Sequence, residues 1–197
     1  MRFSSGTDAC LSLFADVYDT GALVFPVGAR VLEIGCSEAN WIAPMLALRP
    51  DLQITGIDWR RCDRPGTVIH GDVLTQAFQG ASFDAIVGIS SIEHIGLGHY
   101  SNDPLDEDGD RHCMERVATW LTPGGSVYLD VPFAAEGYRV HGTEYRVYDE
   151  SAYQERLIAP GLTLTRAWYS QGESLLGVPP TPYSGCVYVA LLATRDR

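Results

Sequence analysis

The chain has little of what a membrane span, a disulfide framework or a secretion signal requires. None of its apolar runs reaches the roughly 18 residues that a membrane helix needs, and its N-terminus lacks the apolar segment of a signal peptide. The five cysteines are odd in number and widely spaced, and they form no Cys-x-x-Cys pair. This pattern favours reduced thiols and excludes a zinc ribbon. We therefore expect a cytoplasmic globular protein with no membrane span.

Positive charge is also scarce. The chain has 14 Lys and Arg residues against 25 Asp and Glu residues, which gives a net charge of −11 at pH 7. Five acids fall within Asp103–Asp110, whereas the only local excess of positive charge is the short cluster Arg60–Arg64. Such a surface repels a polyanion, and no Lys/Arg run offers a footprint for nucleic acid. Nucleic acid is therefore an unlikely partner.

What the chain does contain is an alternation of short apolar runs with helical patterns. Alternation of this kind predicts an α/β fold with a parallel sheet and helices on both faces. Two apolar runs in succession at the end predict closing strands, one of them antiparallel. Strands are predicted at Arg30–Ile34, Leu52–Ile57, Thr67–Ile69, Phe83–Ile89, Ser126–Val131, Leu162–Tyr169 and Cys186–Ala193, and helices at 8–18, 39–48, Arg111–Leu121 and Glu150–Ile158. The run Pro123–Gly125 is a strong helix terminator.

The most informative stretch is Val31–Asn40, in which an apolar run ends at Gly35 and Glu33 precedes that glycine by two positions. In an open α/β sheet, ligands bind beyond the carboxyl ends of the strands, and small residues there let the backbone approach a ligand closely. A dinucleotide fingerprint would have glycine where Ser37 and Asn40 stand. The charge of Glu33 opposes a pyrophosphate and suits a ligand with ammonium or sulfonium charge. The alternative interpretation is an ordinary strand-to-helix turn.

Two later strand ends extend this pattern. Asp58 follows the second strand, at a separation from Gly35 where a carboxylate commonly accepts hydrogen bonds from ribose hydroxyls. Trp59 follows it, as a candidate to stack against adenine. After the third strand, Asp72 is a candidate acceptor for an exocyclic amine, with the backbone N–H of Val73 beside it. A solvated loop acid, a rim-packing tryptophan and a helix N-cap at Asp72 are the alternatives.

Five segments together resemble, in order and at suitable spacing, the motifs of class I S-adenosylmethionine-dependent methyltransferases. They are Val31–Asn40, Thr55–Asp58, Gly71–Asp72, Phe83–Val87 and Leu121–Leu129. The resemblance covers residues 28–131. It implies a Rossmann-like, doubly wound sheet of seven strands, mostly parallel with an antiparallel last strand. It also implies S-adenosylmethionine as cofactor and S-adenosylhomocysteine as product. Ser37 and Ala39 depart from the family, which prefers glycines there.

The resemblance further implies a set of cofactor-binding residues and a division of the chain. Glu33, Gly35 and Ser37 are expected at the methionine end, Asp58 at the ribose, and Asp72 with Val73 at the adenine. The full expected set is Glu33, Gly35, Cys36, Ser37, Asp58, Trp59, Asp72, Val73, Ile89 and Ser90. We expect one domain over residues 1–197. It comprises an N-terminal helical cap (1–27), a cofactor-binding core (28–131), and an acceptor-side segment with the closing strands (132–197).

A second resemblance lies in Ser90–Asp110. This segment contains the sequence EHIGLGHY and is similar to part of a little-characterised bacterial methyltransferase-like family, domain of unknown function 268 (DUF268). His141–Tyr148 resembles that family's later segment of His, Arg and Tyr residues. The similarity narrows the relatives without identifying an acceptor.

Methyl transfer to a hydroxyl needs a base near the end of the fourth strand. His94 lies five residues past Ile89 and is the first candidate, with Glu93 as its orienter or as an alternative base. The competing interpretation is that both residues cap and pack the following segment. Some relatives place a divalent cation here with the pattern E-x-x-E-H, but Ser90 stands at the first glutamate. A divalent metal is possible but not favoured, and no metal ligands are assigned.

The segment from Pro132 to Tyr148 is expected to cover the acceptor site. Its aromatic and arginine side chains suit a planar, saccharide-like or carboxylate-bearing acceptor; they would equally suit a homodimer surface. The candidate acceptor-binding residues are His99, Tyr138, His141 and Arg146. The sequence thus predicts a methyltransferase that modifies a small-molecule or saccharide-like acceptor at oxygen. The alternative is a non-catalytic S-adenosylmethionine-binding partner or sensor.

Overall fold

The computed structural model describes residues 6–38, 40–78, 82–100, 103–171, 174–176 and 187–197. Its helices are α1 (Gly6–Asp19), α2 (Ile42–Leu48), α3 (Gly109–Trp120) and α4 (Glu150–Leu157), and a single 3-10 turn covers Ile92–His94. Its strands are β1 (Arg30–Ile34), β2 (Gln53–Asp58), β3 (Thr67–His70), β4 (Phe83–Ile89), β5 (Leu121–Phe133), β6 (Arg139–His141), β7 (Tyr145–Val147), β8 (Leu162–Gln171), β9 (Ser174–Leu176) and β10 (Val187–Arg195).

The main sheet has the strand order β3-β2-β1-β4-β5-β10-β8-β9. Strands β1 to β5 are parallel to one another, and β10 runs antiparallel between β5 and β8. This confirms the predicted mixed sheet with an antiparallel last strand; the short β9 adds an eighth strand at one edge. The strand order reverses between β1 and β4, and a crevice opens at the carboxyl ends of strands at such a point.

Helices cover both faces of the sheet, as the alternating pattern predicts. On one face α1 and α2 pack over Val31 and Val87, and on the other α3 and α4 pack over Leu32 and Ile86. Strands β1 and β4 read as continuous apolar runs because both of their faces are buried. Helix α1 is predicted at 8–18, and it buries Cys10, Leu13, Phe14 and Val17, the spacing of one helical face.

Two boundaries differ from prediction for visible reasons. Helix α2 begins at Ile42 rather than 39, since residues 35–38 form a turn held by other segments. Strand β5 begins at Leu121, directly after α3. The predicted terminator Pro123–Gly125 instead forms a bulge inside β5, where the register with β4 shifts. Gly124 has φ +78° there, a conformation that glycine adopts without strain.

The segment after β5 contains a hairpin that the sequence analysis did not predict. Strands β6 and β7 pair antiparallel, and β6 is exposed along its length. The predicted closing strand Cys186–Ala193 corresponds to β10, although Cys186 itself lies outside the described residues, as does Ala39. None of the helices in the described ranges is both long and apolar enough to cross a bilayer.

Candidate active site

A cleft of about 620 Å³, part of it open to solvent, lies at the carboxyl ends of β1 to β4. Seven of the predicted residues line it: Gly35, Asp58, Trp59, Asp72, Val73, Ser90 and His94. The lining is completed by residues that were not predicted as site residues: Ile34, Glu38, Ile57, Arg60, Gly71, Ser91, Ile95, Tyr100 and Asp103. The strand ends therefore converge on one cleft, as expected for an open α/β sheet.

The turn after β1 is built without the family's later glycines. Gly35 has φ +82°, and a Cβ added there would lie 2.4 Å from the Cβ of Ser91, so a side chain has no room. The Ser37 N–H donates to Asp58 Oδ2 at 2.8 Å, and Arg64 Nε donates to the carbonyl of Cys36 at 3.0 Å. With fewer glycines the backbone of this turn is less flexible, and these bonds from neighbouring segments hold it in position.

Asp58 joins this turn to the end of β2. Its Oδ2 accepts from Ser37, and its Oδ1 accepts from the backbone N–H of Arg60 at 2.7 Å. The side chain is nearly buried yet lines the cleft. Arg60 Nε also donates to Oδ1 at 3.3 Å, and since a carboxylate offers about four acceptor directions, Asp58 retains capacity for about one ligand hydroxyl.

Glu33 lies behind the turn and not on the cleft wall. It is 0% exposed, and neither carboxylate oxygen has a hydrogen-bond partner in the described part of the chain. The indole N–H of neighbouring Trp41 is likewise unpartnered. Burial raises the pKa of Glu33 to about 8; the indole N–H of Trp41, which lies near the carboxyl but outside hydrogen-bonding geometry, and the positive charge of Arg64 lower the pKa only in part. A buried carboxylate without partners is costly, and a cation entering beside it would offset that cost.

Asp72 follows β3 and serves a turn as well as the cleft. Its Oδ1 accepts from the backbone N–H of Leu74 at 2.8 Å, and its carbonyl accepts from Gln76 at 2.9 Å. Residues 73–75 form a turn rather than the start of a helix. Asp72 and the buried Val73 both line the cleft. Asp72 therefore braces a turn and not a helix N-terminus, and it lines the cleft at the same time.

A buried polar network lies under the end of β4. Ser90 is the only non-glycine residue with positive φ (+44°) in the described ranges, and its N–H donates to Asp130 Oδ1 at 2.9 Å. Its hydroxyl donates to Glu93 Oε1 at 2.8 Å, and Tyr128 donates to Asp130 Oδ2 at 3.1 Å. Burial raises the pKa of Glu93 and holds that of Asp130 well above its ordinary value. Ile89 is buried beside this network and does not line the cleft.

His94 stands between the cleft and the network. Its Nδ1 is hydrogen-bonded to the carbonyl oxygen of Glu144, and its Nε2 lies 3.7 Å from Glu93 Oε1. Since a carbonyl can only accept, Nδ1 carries the proton and a neutral ring has its basic lone pair on Nε2. Glu93 itself is 1% exposed and lies beneath the cleft, where it contacts His94 and Ser90.

The predicted acceptor residues fall in three different places. His99 stacks on His94 with ring centroids 5.2 Å apart, and His141 stacks on Tyr145 at 5.0 Å in the β6–β7 hairpin. Tyr138 lies under the guanidinium of Arg156, 5.0 Å from its ring centroid. None of the three contributes to the cleft lining as described. His94 connects His99 and His141 indirectly, since its ring also approaches Tyr145 with ring centroids 6.4 Å apart.

Arg146 requires a correction. Its side chain is 0% exposed, and its guanidinium donates to the carbonyls of Ile95 at 2.7 Å and Glu107 at 3.1 Å. It also lies 3.6 Å from the buried carboxylate of Asp110. Every one of these contacts is inside the protein, so Arg146 packs behind the cleft and does not line it, in contrast to the predicted position at the acceptor. Only the tertiary fold brings these carbonyls around it.

Arg60 is the most informative residue that the prediction missed. Its guanidinium lies 4.1 Å above the ring centroid of Tyr100 and pairs with Asp58 and Glu38. Its position directly after the β2 end was the available signal, since strand ends carry site residues. No group of three or more His, Cys, Asp or Glu side chains is placed to hold a metal ion, as far as the described ranges extend.

Comparisons with known proteins agree with this architecture. Residues 69–152 match the family model described as "Caenorhabditis protein of unknown function, DUF268". An uncharacterised methyltransferase of Mycobacterium tuberculosis is 25% identical over 111 residues, which cover 52% of this chain and 50% of the relative. The chain thus spans about half the length of the curated relatives it matches.

Solved structures match over nearly the whole chain. The 1,6-didemethyltoxoflavin-N1-methyltransferase of Burkholderia thailandensis, bound to 1,6-didemethyltoxoflavin and S-adenosylhomocysteine, is 17% identical with a TM-score of 0.62, covering 100% of this chain and 93% of that one. The [4+2]-cyclase SpnF is 15% identical with a TM-score of 0.66, covering 99% and 83%. The chain therefore has the fold of class I S-adenosylmethionine-dependent methyltransferases, with a DUF268-like segment across residues 69–152.

Proposed function

We propose that the chain is an S-adenosylmethionine-dependent methyltransferase that modifies a small-molecule or saccharide-like acceptor at oxygen. The observation that carries the proposal is Glu33, a buried carboxylate without partners directly behind a turn that lines the cleft. Burial raises the pKa of Glu33 to about 8, so an ammonium group at the cleft end of this turn would favour the ionised carboxylate and pair with it. A pyrophosphate would keep the carboxyl protonated and gain no such pairing, which disfavours a dinucleotide.

The rest of the cleft fits the same cofactor. The turn at Gly35–Ser37 would hold the methionine end, Asp58 the ribose hydroxyls, and Asp72 with Val73 the adenine edge. The missing side chain at Gly35 lets Ser91 pack against the turn, and both residues line the cleft. Once bound, the cofactor supplies an electrophilic methyl group on a sulfonium. The protein's part is to align an acceptor with that group and to remove a proton.

His94 is the proposed base. With its Nδ1 proton donated to the Glu144 carbonyl, Nε2 is free to take the proton of an acceptor hydroxyl. Glu93 lies 3.7 Å from Nε2 and would stabilise the imidazolium that forms. The bond from Ser90 to Glu93 Oε1 holds that carboxyl in place. Glu93 is therefore proposed as a positioning residue and His94 as the catalytic one.

The cleft walls favour a neutral or cationic acceptor. Four of the described lining residues are acids, Glu38, Asp58, Asp72 and Asp103, against a single arginine, Arg60. A nucleic-acid backbone would be repelled by this surface. Tyr100 offers an aromatic face to a planar ring or a sugar. We further propose that residues 1–197 act as one domain, because α1 shares a buried cluster with β1 and β4.

Calorimetry with S-adenosylhomocysteine tests the cofactor assignment. We expect the wild type to bind, and Asp58→Asn to bind about 10- to 100-fold more weakly, since a hydrogen bond to a charged group contributes roughly 1.5–3 kcal/mol. Asp84→Asn is the matched control, because Asp84 begins β4 at the opposite end of the sheet and pairs with Arg30. A folded wild type that gives no binding heat would rule out the assignment.

A second candidate is a cofactor-binding protein that does not transfer methyl groups. It is favoured by the likeness to a [4+2]-cyclase, whose reaction is not methyl transfer. Labelled S-adenosylmethionine offered with a panel of hydroxylated acceptors discriminates between the two. Transfer of label to an acceptor that His94→Gln reduces supports the methyltransferase. Tight cofactor binding with equal label transfer by the wild type and by His94→Gln would remove His94 from the mechanism.

A further inference from the structure

Two cysteine thiols meet beside the turn that lines the cleft. The sulfur atoms of Cys36 and Cys62 lie 3.3 Å apart, and both cysteines are free. Cys36 is buried within the turn between Gly35 and Ser37, whereas Cys62 is half-buried in the segment that follows β2. No part of the proposed methyl transfer uses either thiol.

The fold directs these side chains toward each other. Gly56 on β2 is paired with Glu33 on β1, and a Cβ at Gly56 would lie 2.8 Å from the Cys36 sulfur. The missing side chain leaves the space that Cys36 occupies. Arg64, two residues past Cys62, donates to the carbonyl of Cys36 at 3.0 Å. The two segments are thus tied together at the point where the sulfurs meet.

The two cysteines differ in their surroundings. Reactive cysteines are partly exposed, and Cys62 is half-buried, so a small oxidant can reach its sulfur. Cys36 is fully buried, and burial raises the pKa of its thiol. Cys62 is therefore the thiol expected to react with an oxidant, and Cys36 is the resolving thiol.

We propose that Cys36 and Cys62 form an oxidation site for peroxides, and that the resulting disulfide weakens cofactor binding. The Cys62 thiolate attacks one oxygen of hydrogen peroxide, the O–O bond breaks, and the departing hydroxide takes up a proton to leave as water. The Cys36 sulfur then attacks the Cys62 sulfenic acid, the S–O bond breaks, and a second water leaves with the Cys36 proton. Two thiols lose two electrons and one peroxide gains them.

The disulfide between Cys36 and Cys62 would affect the proposed cofactor site through the turn that follows β1. A disulfide needs sulfurs about 2.05 Å apart, so the two sulfurs must approach each other by more than 1 Å from their present 3.3 Å. Cys36 adjoins Ser37, whose N–H holds Asp58. Displacing that N–H disturbs the residues proposed for the methionine end and the ribose. This effect on affinity depends on the proposed function, whereas formation of the disulfide does not.

Peptide mapping tests the disulfide directly. The chain has no lysine, and trypsin does not cleave before Pro50 or Pro65, so Cys36 falls in peptide 31–60 and Cys62 in peptide 62–111. The other three cysteines fall in three further peptides. After hydrogen peroxide treatment of the full chain, mass spectrometry should find 31–60 joined to 62–111, and dithiothreitol should separate them. Cross-links dominated by any other pair would overturn the proposal.

Calorimetry with S-adenosylhomocysteine tests the consequence. Oxidised wild type should bind about tenfold more weakly or worse, which corresponds to the loss of about one hydrogen bond, and dithiothreitol should restore binding. Cys62→Ser should bind like the reduced wild type before and after peroxide. Cys186→Ser, which retains the pair, should remain sensitive. A mapped disulfide with unchanged affinity would overturn the regulatory claim. Absence of binding by the reduced protein would count against the proposed function alone.

Discussion

His94 is oriented by two neighbours, one at each ring nitrogen. The Glu144 carbonyl holds the Nδ1 proton, and the Glu93 carboxyl lies beside Nε2. The Glu144 contact is not visible in the order of the residues, because Glu144 is 50 positions away, whereas Glu93 adjoins His94 and could be predicted as its orienter. The proposed base is therefore set by the β6–β7 hairpin as much as by its own motif.

The first prediction belongs to this residue. His94→Gln should lower kcat about 100-fold or more, the usual contribution of a general base, with S-adenosylhomocysteine affinity nearly unchanged. The fall in kcat/KM at acidic pH, which protonation of a base produces, should disappear in the variant. His112→Gln is the control, since His112 is half-exposed on α3 and bonds to Asp106. An acidic limb that persists in His94→Gln would assign the base elsewhere.

At the scale of secondary-structure elements, one buried arginine on β7 connects segments that contribute to the cleft. Arg146 joins β7 to the segment after β4 through the Ile95 carbonyl and to the segment before α3 through the Glu107 carbonyl. Asp110, within α3, is also bonded by Arg156 and by the hydroxyl of Tyr148. These contacts hold the segment 95–109 against the hairpin, and that segment carries Tyr100 and Asp103 of the cleft.

The second prediction follows from this packing. Arg146→Met should destabilise the protein by about 3–5 kcal/mol, because removing one partner leaves buried acceptors and the Asp110 charge with less compensation. Urea unfolding measures the change. Arg111→Met is the control, since the Arg111–Asp108 pair is exposed at 3.7 Å, and such pairs contribute about 0–1 kcal/mol. Equal destabilisation by the two variants would contradict the structural role of Arg146.

Across the whole molecule, buried acids make stability depend on pH. Burial raises the pKa of Glu33 from 4.5 to about 8 and also raises the pKa of Glu93 and of Asp130. At pH values between the ordinary carboxyl pKa and these raised values, the folded chain retains protons that the unfolded chain has lost. Stability is therefore fully present below the ordinary carboxyl pKa and is lost as pH rises through the raised values.

A third prediction concerns the pH dependence of the free energy of unfolding. The free energy of unfolding of the ligand-free wild type should fall by a few kcal/mol between pH 5 and pH 8.5, at about 1.4 kcal/mol per unit of pKa difference. Glu33→Gln should show a shallower fall, because one of the three carboxyls no longer titrates. Glu155→Gln, which removes an exposed acid on α4, should retain the full slope. A slope in Glu33→Gln equal to that of the wild type would contradict the burial argument.

The amino-acid sequence by itself determined the class of sheet and the position of the cleft. Apolar runs such as Val31–Ile34 and Phe83–Ile89 are buried on both faces, and this local property is visible in the residues themselves. Parallel strands end at one edge of a sheet, so Asp58 and Asp72 could be placed together before any contact was known. The antiparallel last strand entered through the resemblance to a family and through the two closing apolar runs.

The tertiary structure alone decided which polar side chains face the cleft and which support it. Arg146 and His141 both lie after β5 in the sequence, yet the first is fully buried and the second lies in an exposed strand. Cys36 and Cys62 meet where Gly56 leaves the space that the Cys36 side chain occupies. The reason is physical: a side chain's role depends on burial and on hydrogen-bond partners distant in sequence, and these exist only after the chain has folded.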